Sequence, residues 1–304
     1  MHRTGQFYRP PTEADTLLLE VNYGCMWNKC SFCNMYSKTQ YGISPLDDVE
    51  EDLKELKLHN SDGVTRIFLL NGDSFILSTQ HLLEISKLIQ KYFPQIKTIS
   101  AYATVNSIKN KSLDELKILK NHHYNELYIG IESGNDTVLK ILNKGFTKEE
   151  EIESLEKLEK AEITYNALIM MGCGGKKYSK EHVEDTIELL NRFKPKILSL
   201  LSTVIHKDTP LYEEVKKNKF EPLAEKEMID EELTILKSIK MDDESYFFGN
   251  HEFNTIPATG YFKHKDFIIE YMEDEKDRLM NEKEYVMEST FNTYPKKRGG
   301  FILL

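Results

Sequence analysis

The feature that most restricts the fold is an alternation repeated six times: a short apolar segment, a loop, then a stretch with helical spacing. Strands are predicted over residues 16–21, 65–70, 98–102, 126–130, 164–170 and 197–202, each followed by enough chain for a crossover helix. Helix starts are marked as well. Ser44-Pro45-Leu46-Asp47 offers a cap residue, a proline at the first helical position and an acid in the first turn, and Leu46, Val49, Leu53 and Leu56 form one apolar stripe. Ser112 with Glu115 and Thr147 with Glu150 are spaced as capping boxes. Gly145 supplies a left-handed residue past a helix ending at Lys144, and Val183, Ile187 and Leu190 follow a cap at Ser179. Six βα units in succession predict an α/β fold with a parallel sheet, doubly wound or curled into a barrel. Both arrangements gather chemistry at the carboxyl ends of the strands.

Past residue 240 the alternation stops, which divides the chain into residues 1–240 and a C-terminal extension, 241–304. The extension reads as an aromatic loop over 241–262, a helix from Asp266 to about Lys283 and a charged tail ending in Phe301-Ile-Leu-Leu304. The stretch from Tyr246 to His251 has the composition of a lid, and His206 and His251 are candidate proton donors or substrate contacts. No apolar run is long enough to cross a membrane, and the first residues lack the apolar segment of a signal peptide, so a cytoplasmic protein without a membrane partner is expected. A net charge of -10 argues against a nucleic-acid track, and Lys296-Lys297-Arg298 reads as part of a solvated tail.

Three of the four cysteines fall within nine residues, Cys25-Met-Trp-Asn-Lys-Cys30-Ser-Phe-Cys33, directly after the first predicted strand. Three thiols in one loop cannot pair off as a disulfide framework, and such a grouping points to metal. Three thiolates suit three irons of a cubane cluster, leaving the fourth iron open for a ligand. A structural zinc would need a fourth Cys or His from elsewhere, such as Cys173.

The loop resembles that of the radical SAM superfamily, with Phe32 as the aromatic before the third cysteine; the first gap holds four residues here where the family usually has three. Leu70-Asn71-Gly72-Asp73 resembles the family's segment after strand two, which contacts the amino group of S-adenosylmethionine (SAM). Gly130-Ile-Glu132-Ser133-Gly134, and the chain on through Asn143-Lys144-Gly145, resembles the segment after strand four in elongator/MiaB/NifB-type domains. Leu168 to Gly175 and Thr209-Pro210-Leu211-Tyr212 resemble the ends of strands five and six.

The resemblance covers roughly residues 12–240 and implies an incomplete (βα)6 TIM-like barrel. It implies an enzyme that cleaves SAM reductively at a [4Fe–4S] cluster, giving a 5′-deoxyadenosyl radical that abstracts hydrogen from an unidentified small-molecule, porphyrin-like or peptide substrate. Cys25, Cys30 and Cys33 are the implied cluster ligands, and Phe32, Asn71, Gly72, Asp73, Glu132 and Ser133 the implied SAM contacts. A one-electron donor such as flavodoxin or ferredoxin is the implied partner. Cys173 is the one thiol left over; it stands in Met171-Gly-Cys173-Gly-Gly175 at the end of a predicted strand, where it would face a barrel mouth and could give a hydrogen atom to a substrate radical. With a single spare cysteine a second cluster has no ligands, which disfavours methylthiotransferases. The alternative from another class is a non-catalytic iron–sulfur carrier or electron-transfer protein.

Overall fold

The structure, a computed structural model, describes residues 2, 4–59 and 63–281. The basic triplet at 296–298, the apolar end at 301–304 and the last two residues of the helix expected to reach Lys283 lie outside the described residues.

In chain order the first elements are β1 (Leu17–Leu19), β2 (Asn22–Tyr23), β3 (Gly42–Ile43), α1 (Leu46–His59), β4 (Arg66–Leu69), α2 (Thr79–Tyr92), β5 (Thr98–Ala103), α3 (Val105–Lys109), α4 (Leu113–Asn121) and β6 (Tyr124–Glu132). Then come α5 (Asp136–Ile141), α6 (Lys148–Lys160), β7 (Thr164–Met171), α7 (Gly175–Arg192), β8 (Ile197–Ser202), α8 (Pro210–Lys216), α9 (Glu225–Ser238), β9 (Tyr246–Phe248), β10 (Thr259–Tyr261) and α10 (Lys265–Asn281). The chain forms two compact units, the first built from the described residues up to Asn28 with Met35–Gly130 and Glu149–Tyr165, the second from Lys29–Asn34, Ile131–Lys148 and the described residues from Asn166 on.

In the first unit β1, β4, β5 and β6 lie side by side in that order, all parallel, with Leu19 opposite Leu69, Leu69 opposite Ala101 and Ala101 opposite Leu127. Consecutive apolar residues in β4 are buried, as in a parallel sheet covered on both faces, and helices pack on it. Those helices bury the stripes read from the sequence, among them Val49 and Leu53 of α1 and Leu116 and Leu119 of α4. Ser112 and Glu115 close the capping box at the start of α4. At the amino ends of the strands, Arg66 binds the fully buried Glu13 and reaches Glu126 at 3.1 Å, while Ser100 donates to Glu13 at 3.0 Å. A half-buried guanidinium between two buried carboxylates ties β4 and β6 together far from their carboxyl ends. The ribbon β2–β3 pairs Asn22 with Ile43 and Tyr23 with Gly42, tying together the two ends of the segment between them.

In the second unit β7 runs parallel to β8 from Asn166 opposite Ile197 to Met171 opposite Ser202. β9 continues parallel to β8, and β10 closes this edge antiparallel to β9. Residues 241–262 are therefore not one loop as predicted. Tyr246-Phe-Phe248 is strand-forming by composition, but three residues are too few to show an alternation, and Phe247 is driven into the core. Two helix ends also differ in detail. α7 is a short piece from Gly175 joined to a longer helix at a kink, the non-helical Tyr178; the longer helix follows where the sequence predicts it, but the Ser179 hydroxyl donates to Glu231 instead of capping it. α5 ends at Ile141, three residues earlier than predicted, although Gly145 does take the left-handed conformation (φ 76°), as does Asn143.

Candidate functional site

The predicted site residues fall at the carboxyl ends of strands in both units, and each group has its own geometry. In the first unit Cys25 follows Gly24, whose φ of 72° and close approach to Tyr41 and Gln40 favour glycine. The Asn28 amide donates to Cys25 Sγ at 3.4 Å, and its side chain donates to the Tyr36 carbonyl at 2.9 Å, joining the two limbs of the cysteine loop that lie in this unit. Past β4, the Gly72 amide donates to the Gly24 carbonyl at 3.4 Å. A Cβ on Gly72 would stand 2.8 Å from Cys25 Cβ, so the glycine is what lets the end of β4 lie against the first cysteine.

Asn71 and Asp73, on either side, are used differently. The Asn71 side chain is committed inward, donating to the Asn22 carbonyl at 2.7 Å and accepting from the Tyr36 hydroxyl at 3.4 Å. Asp73 is buried; Oδ2 accepts from Thr104 Oγ1 at 2.7 Å, while Oδ1 makes no well-formed hydrogen bond among the described residues. Burial pushes the Asp73 carboxyl up to about 6 against the pull of Thr104. Thr104 itself caps α3, accepting from the Ser107 amide while its hydroxyl proton goes to Asp73. The sequence reading passed over Thr104; a Thr-x-x-Ser cap directly after a strand was its signal.

In the second unit Cys30-Ser-Phe-Cys33 is pinned through its middle. The Ser31 amide donates to the Leu142 carbonyl and its hydroxyl to the Ile141 carbonyl, each at 2.8 Å, so one residue satisfies two open carbonyls at the end of α5. The Ser31 carbonyl then accepts from the Leu211 amide in the first turn of α8 at 2.8 Å. Phe32 is half-buried and packs on two apolar clusters, one with Val138, Leu142, Met170 and Cys173, the other with Ile205, Leu211 and Phe220.

Beside these thiols is a cation that the sequence reading quoted but gave no role. Lys144 is buried; its Nζ donates to Glu132 Oε1 at 2.9 Å and lies over the rings of Phe32 and Phe146. Burial alone would pull this ammonium down, but Glu132, Cys30 and Cys33 outweigh it and hold the lysine charged. Glu132, the last residue of β6, has a φ of 65°, a left-handed conformation that costs about 1–2 kcal/mol outside glycine. Ser133 turns away from solvent to meet His182 Nδ1 at 2.8 Å. Burial drops His182 to about 4, so it is a neutral imidazole.

Cys173 departs from expectation. It does not open on solvent but is fully buried, with Sγ 3.8 Å from the Glu132 carbonyl and 3.7 Å from His182 Nδ1. Burial raises it well above the ordinary thiol range, so it is a protonated thiol. The apolar residues around it explain the burial: it fills space under Phe32 and Tyr178. Gly172 just before it donates to Glu231 Oε2 at 2.6 Å. His206 and His251 both flank Phe253, with ring centroids 6.3 and 4.9 Å away, and burial lowers His251. Within either unit, among the described residues, no three His, Cys, Asp or Glu side chains converge as a metal site, the loop cysteines being divided between the units.

The chain is 26% identical over 197 residues to a haem chaperone, HemW, of Buchnera aphidicola subsp. Schizaphis graminum, covering 62% of this chain and 50% of the relative. It is 26% identical over 183 residues to a tRNA-2-methylthio-N(6)-dimethylallyladenosine synthase of Syntrophus aciditrophicus, covering 57% and 38%. The chain thus spans about half the length, or less, of these curated relatives. Among solved structures it resembles the radical S-adenosylmethionine methyltransferase TsrM of Kitasatospora setae, with a TM-score of 0.54 at 15% identity over 67% of this chain and 39% of that one, a likeness of fold. Residues 19–190, more than half of the chain, match the Radical SAM superfamily. The chain belongs to the radical SAM superfamily, enzymes that work with a [4Fe–4S] cluster and S-adenosylmethionine.

Proposed function

We propose that Cys25, Cys30 and Cys33 hold the cluster and that Phe32, Asn71, Gly72, Asp73, Glu132 and Ser133 contact SAM in an enzyme that abstracts hydrogen from its substrate. The observation that carries the reading is Lys144, a buried cation facing Cys30 and Cys33, because a neighbouring cation favours the thiolate, the form that binds iron. The residues fit the group in two further respects. Asp73 keeps a buried oxygen without a hydrogen bond, an acceptor suited to the ammonium of an amino acid. Gly72 keeps the backbone beside Cys25 clear of any side chain.

Held by Cys25, Cys30 and Cys33, a [4Fe–4S] cluster would supply the one electron for reductive cleavage of SAM. The chain's own residues do the rest. Gly24 and Gly72 set the backbone at Cys25, Ser31 locks the Cys30–Cys33 turn to α5 and α8, Thr104 orients Asp73, and Lys144 neutralises Glu132 and the adjoining thiolates. The substrate belongs to a small-molecule, porphyrin-like or peptide class; the relatives' names, a haem chaperone and a tRNA-modifying synthase, span unlike substrates. A one-electron donor and a cytoplasmic location complete the reading, and no helix of the described residues is long and apolar enough to cross a membrane.

Anaerobic reconstitution tests the reading. About four irons per chain are expected, as for one cubane cluster. With dithionite and SAM, 5′-deoxyadenosine should form slowly even without substrate. Cys25→Ala, Cys30→Ala and Cys33→Ala should each lose both iron and cleavage. Stoichiometric zinc with no visible chromophore would overturn the proposal.

A further inference from the structure

Along β4, β5 and β6 the side chains alternate between two unlike faces. Ile67, Leu69, Ala101, Leu127 and Ile129 lie on one, which is apolar and buried. The other is polar and aromatic, and its contacts give it an order along β5. Ser100 bonds to Glu13 toward the amino end and Thr104 bonds to Asp73 at the carboxyl end; Tyr102 stands between them, about 7 Å along the strand from each. Tyr102 is opposite Tyr128 in the register of β5 and β6, and Phe68 of β4 meets both rings edge-on, at centroid distances of 5.3 and 5.8 Å. The three rings make one layer between the ion pairs of Arg66 and the carboxylate of Asp73.

The two tyrosines of this layer are finished differently. Tyr128 is buried, and its hydroxyl is paired with Thr12 Oγ1 at 2.9 Å. Tyr102 keeps part of its surface open, and its hydroxyl has no hydrogen bond among the described residues. Burial first, and Glu13 second, nevertheless raise that hydroxyl well above the ordinary tyrosine range, so it stays protonated. A group that is deep in the fold yet reachable stands as one does on the floor of a cleft. The charge below it is already balanced. Glu13 and Glu126 share Arg66, and Arg9, which opposes the effect of Glu13 on Tyr102, is a second cation. A charged ligand group finds no spare counter-ion in this layer. A flat ring with an uncharged N–H or C=O finds aromatic surface and a hydroxyl that both donates and accepts.

We propose that Tyr102 is a specificity-determining residue, whose hydroxyl hydrogen-bonds an uncharged, planar ring of the substrate lying against Tyr102 and Phe68. The inference deepens the proposed function and rests on the reading that Asp73 contacts SAM, which makes the layer next to Asp73 the place of the substrate.

Ligand-observed fluorine NMR on the anaerobically reconstituted, SAM-loaded protein tests this with probes of similar size: 4-fluorobenzamide, 4-fluorobenzoate, 4-fluorobenzylammonium and fluorobenzene. The amide should bind at least about tenfold more tightly than either charged probe. Tyr102→Phe should weaken the amide about fivefold, the loss of one hydrogen bond, and leave fluorobenzene, which can only stack, within about twofold of the parent. Tyr92→Phe, which removes a hydroxyl bonded to Glu50 at the end of α2, is the control and should change neither. An amide that binds no more tightly than the charged probes would overturn the proposal, as would a Tyr102→Phe protein that binds the amide like the parent or loses fluorobenzene along with it. Asp73→Ala, read by calorimetry with SAM, judges the underlying reading separately. Unchanged SAM affinity would remove Asp73 from the site, while the same titrations without SAM still judge Tyr102.

Discussion

Lys144→Met is the most informative single change. The ammonium lies 2.9 Å from Glu132 Oε1, and the two side chains are 7 and 10% exposed. Removing it leaves a carboxylate buried without its counter-ion, which costs about 3–5 kcal/mol for pairs this deep. Replacing both members by apolar residues of similar volume is close to neutral, so Lys144→Met/Glu132→Leu should recover most of the loss. At about 1.4 kcal/mol per decade, the single variant's local opening should be more frequent by two to three and a half decades. Because the chain forms two compact units, a single unfolding midpoint would mix them, and hydrogen exchange read on peptides covering residues 131–148 isolates the affected segment. Lys144→Met should lose at least about a hundredfold protection there and the double variant less than about tenfold. A second arm reads the thiols. In the metal-free protein, alkylation of Cys30 and Cys33 should shift to higher pH in Lys144→Met, since the cation that favours their thiolates is gone. Protection within threefold of the parent, or an alkylation profile that does not move, would refute the assignment of Lys144 as the balancing charge.

Other expectations can be checked independently. Asp73 is raised to about 6 from an ordinary 3.8, so SAM affinity should be flat above about pH 7 and fall by about a factor of ten per pH unit below 6 as the carboxylate protonates, measured by calorimetry on the loaded protein. The same raised value makes the group's own contribution to stability greatest below about pH 4 and lost as pH rises through 6. Gly72→Ala should fold yet hold less iron, since its Cβ would meet Cys25 Cβ at 2.8 Å; unchanged iron content would show that the loop yields. Ser31→Ala should cost about 1 kcal/mol through the lost bond to the Ile141 carbonyl, read by exchange at the end of α5. Cys173→Ala should leave iron content and SAM cleavage intact; loss of product alone would mark a hydrogen-atom donor, and normal turnover would mark a packing residue.

The strand-and-helix alternation was legible because buried parallel strands and amphipathic helices write their periodicity directly into the chain. β4 is a continuous apolar run, and α1 repeats its stripe every three or four residues. What escaped was decided by tertiary contact. β9 and β10 are three residues each, and only pairing with β8 makes them strands. The short helical piece from Gly175 to the kink at Tyr178 had no signal in the sequence, and the Ser179 hydroxyl is drawn to Glu231, fifty-two residues away, so that it does not cap the helix that follows.

The site divides along the same line. Gly72 and the three cysteines could be singled out from sequence because the readings rest on what they are: a glycine that admits a close approach, and thiols of the kind that can ligate metal. Lys144, Ser31 and Thr104 were not singled out, since lysine, serine and threonine are ordinary surface residues until the fold surrounds them. Lys144 becomes a buried cation only because β6 ends at Glu132 in a left-handed turn and α5 stops at Ile141, bringing residue 144 back over Phe32. If that turn at Glu132 is held by its ion pair, Glu132→Gly should relax the backbone while Glu132→Ala keeps the strain. Both variants leave Lys144 without its carboxylate, so the pair loss cancels between them, and glycine should be the more stable by about 1 kcal/mol, roughly a fivefold difference in exchange at residues 131–148. An alanine variant as protected as the glycine one would mean that the turn carries no strain and that Lys144 is placed by α5 alone.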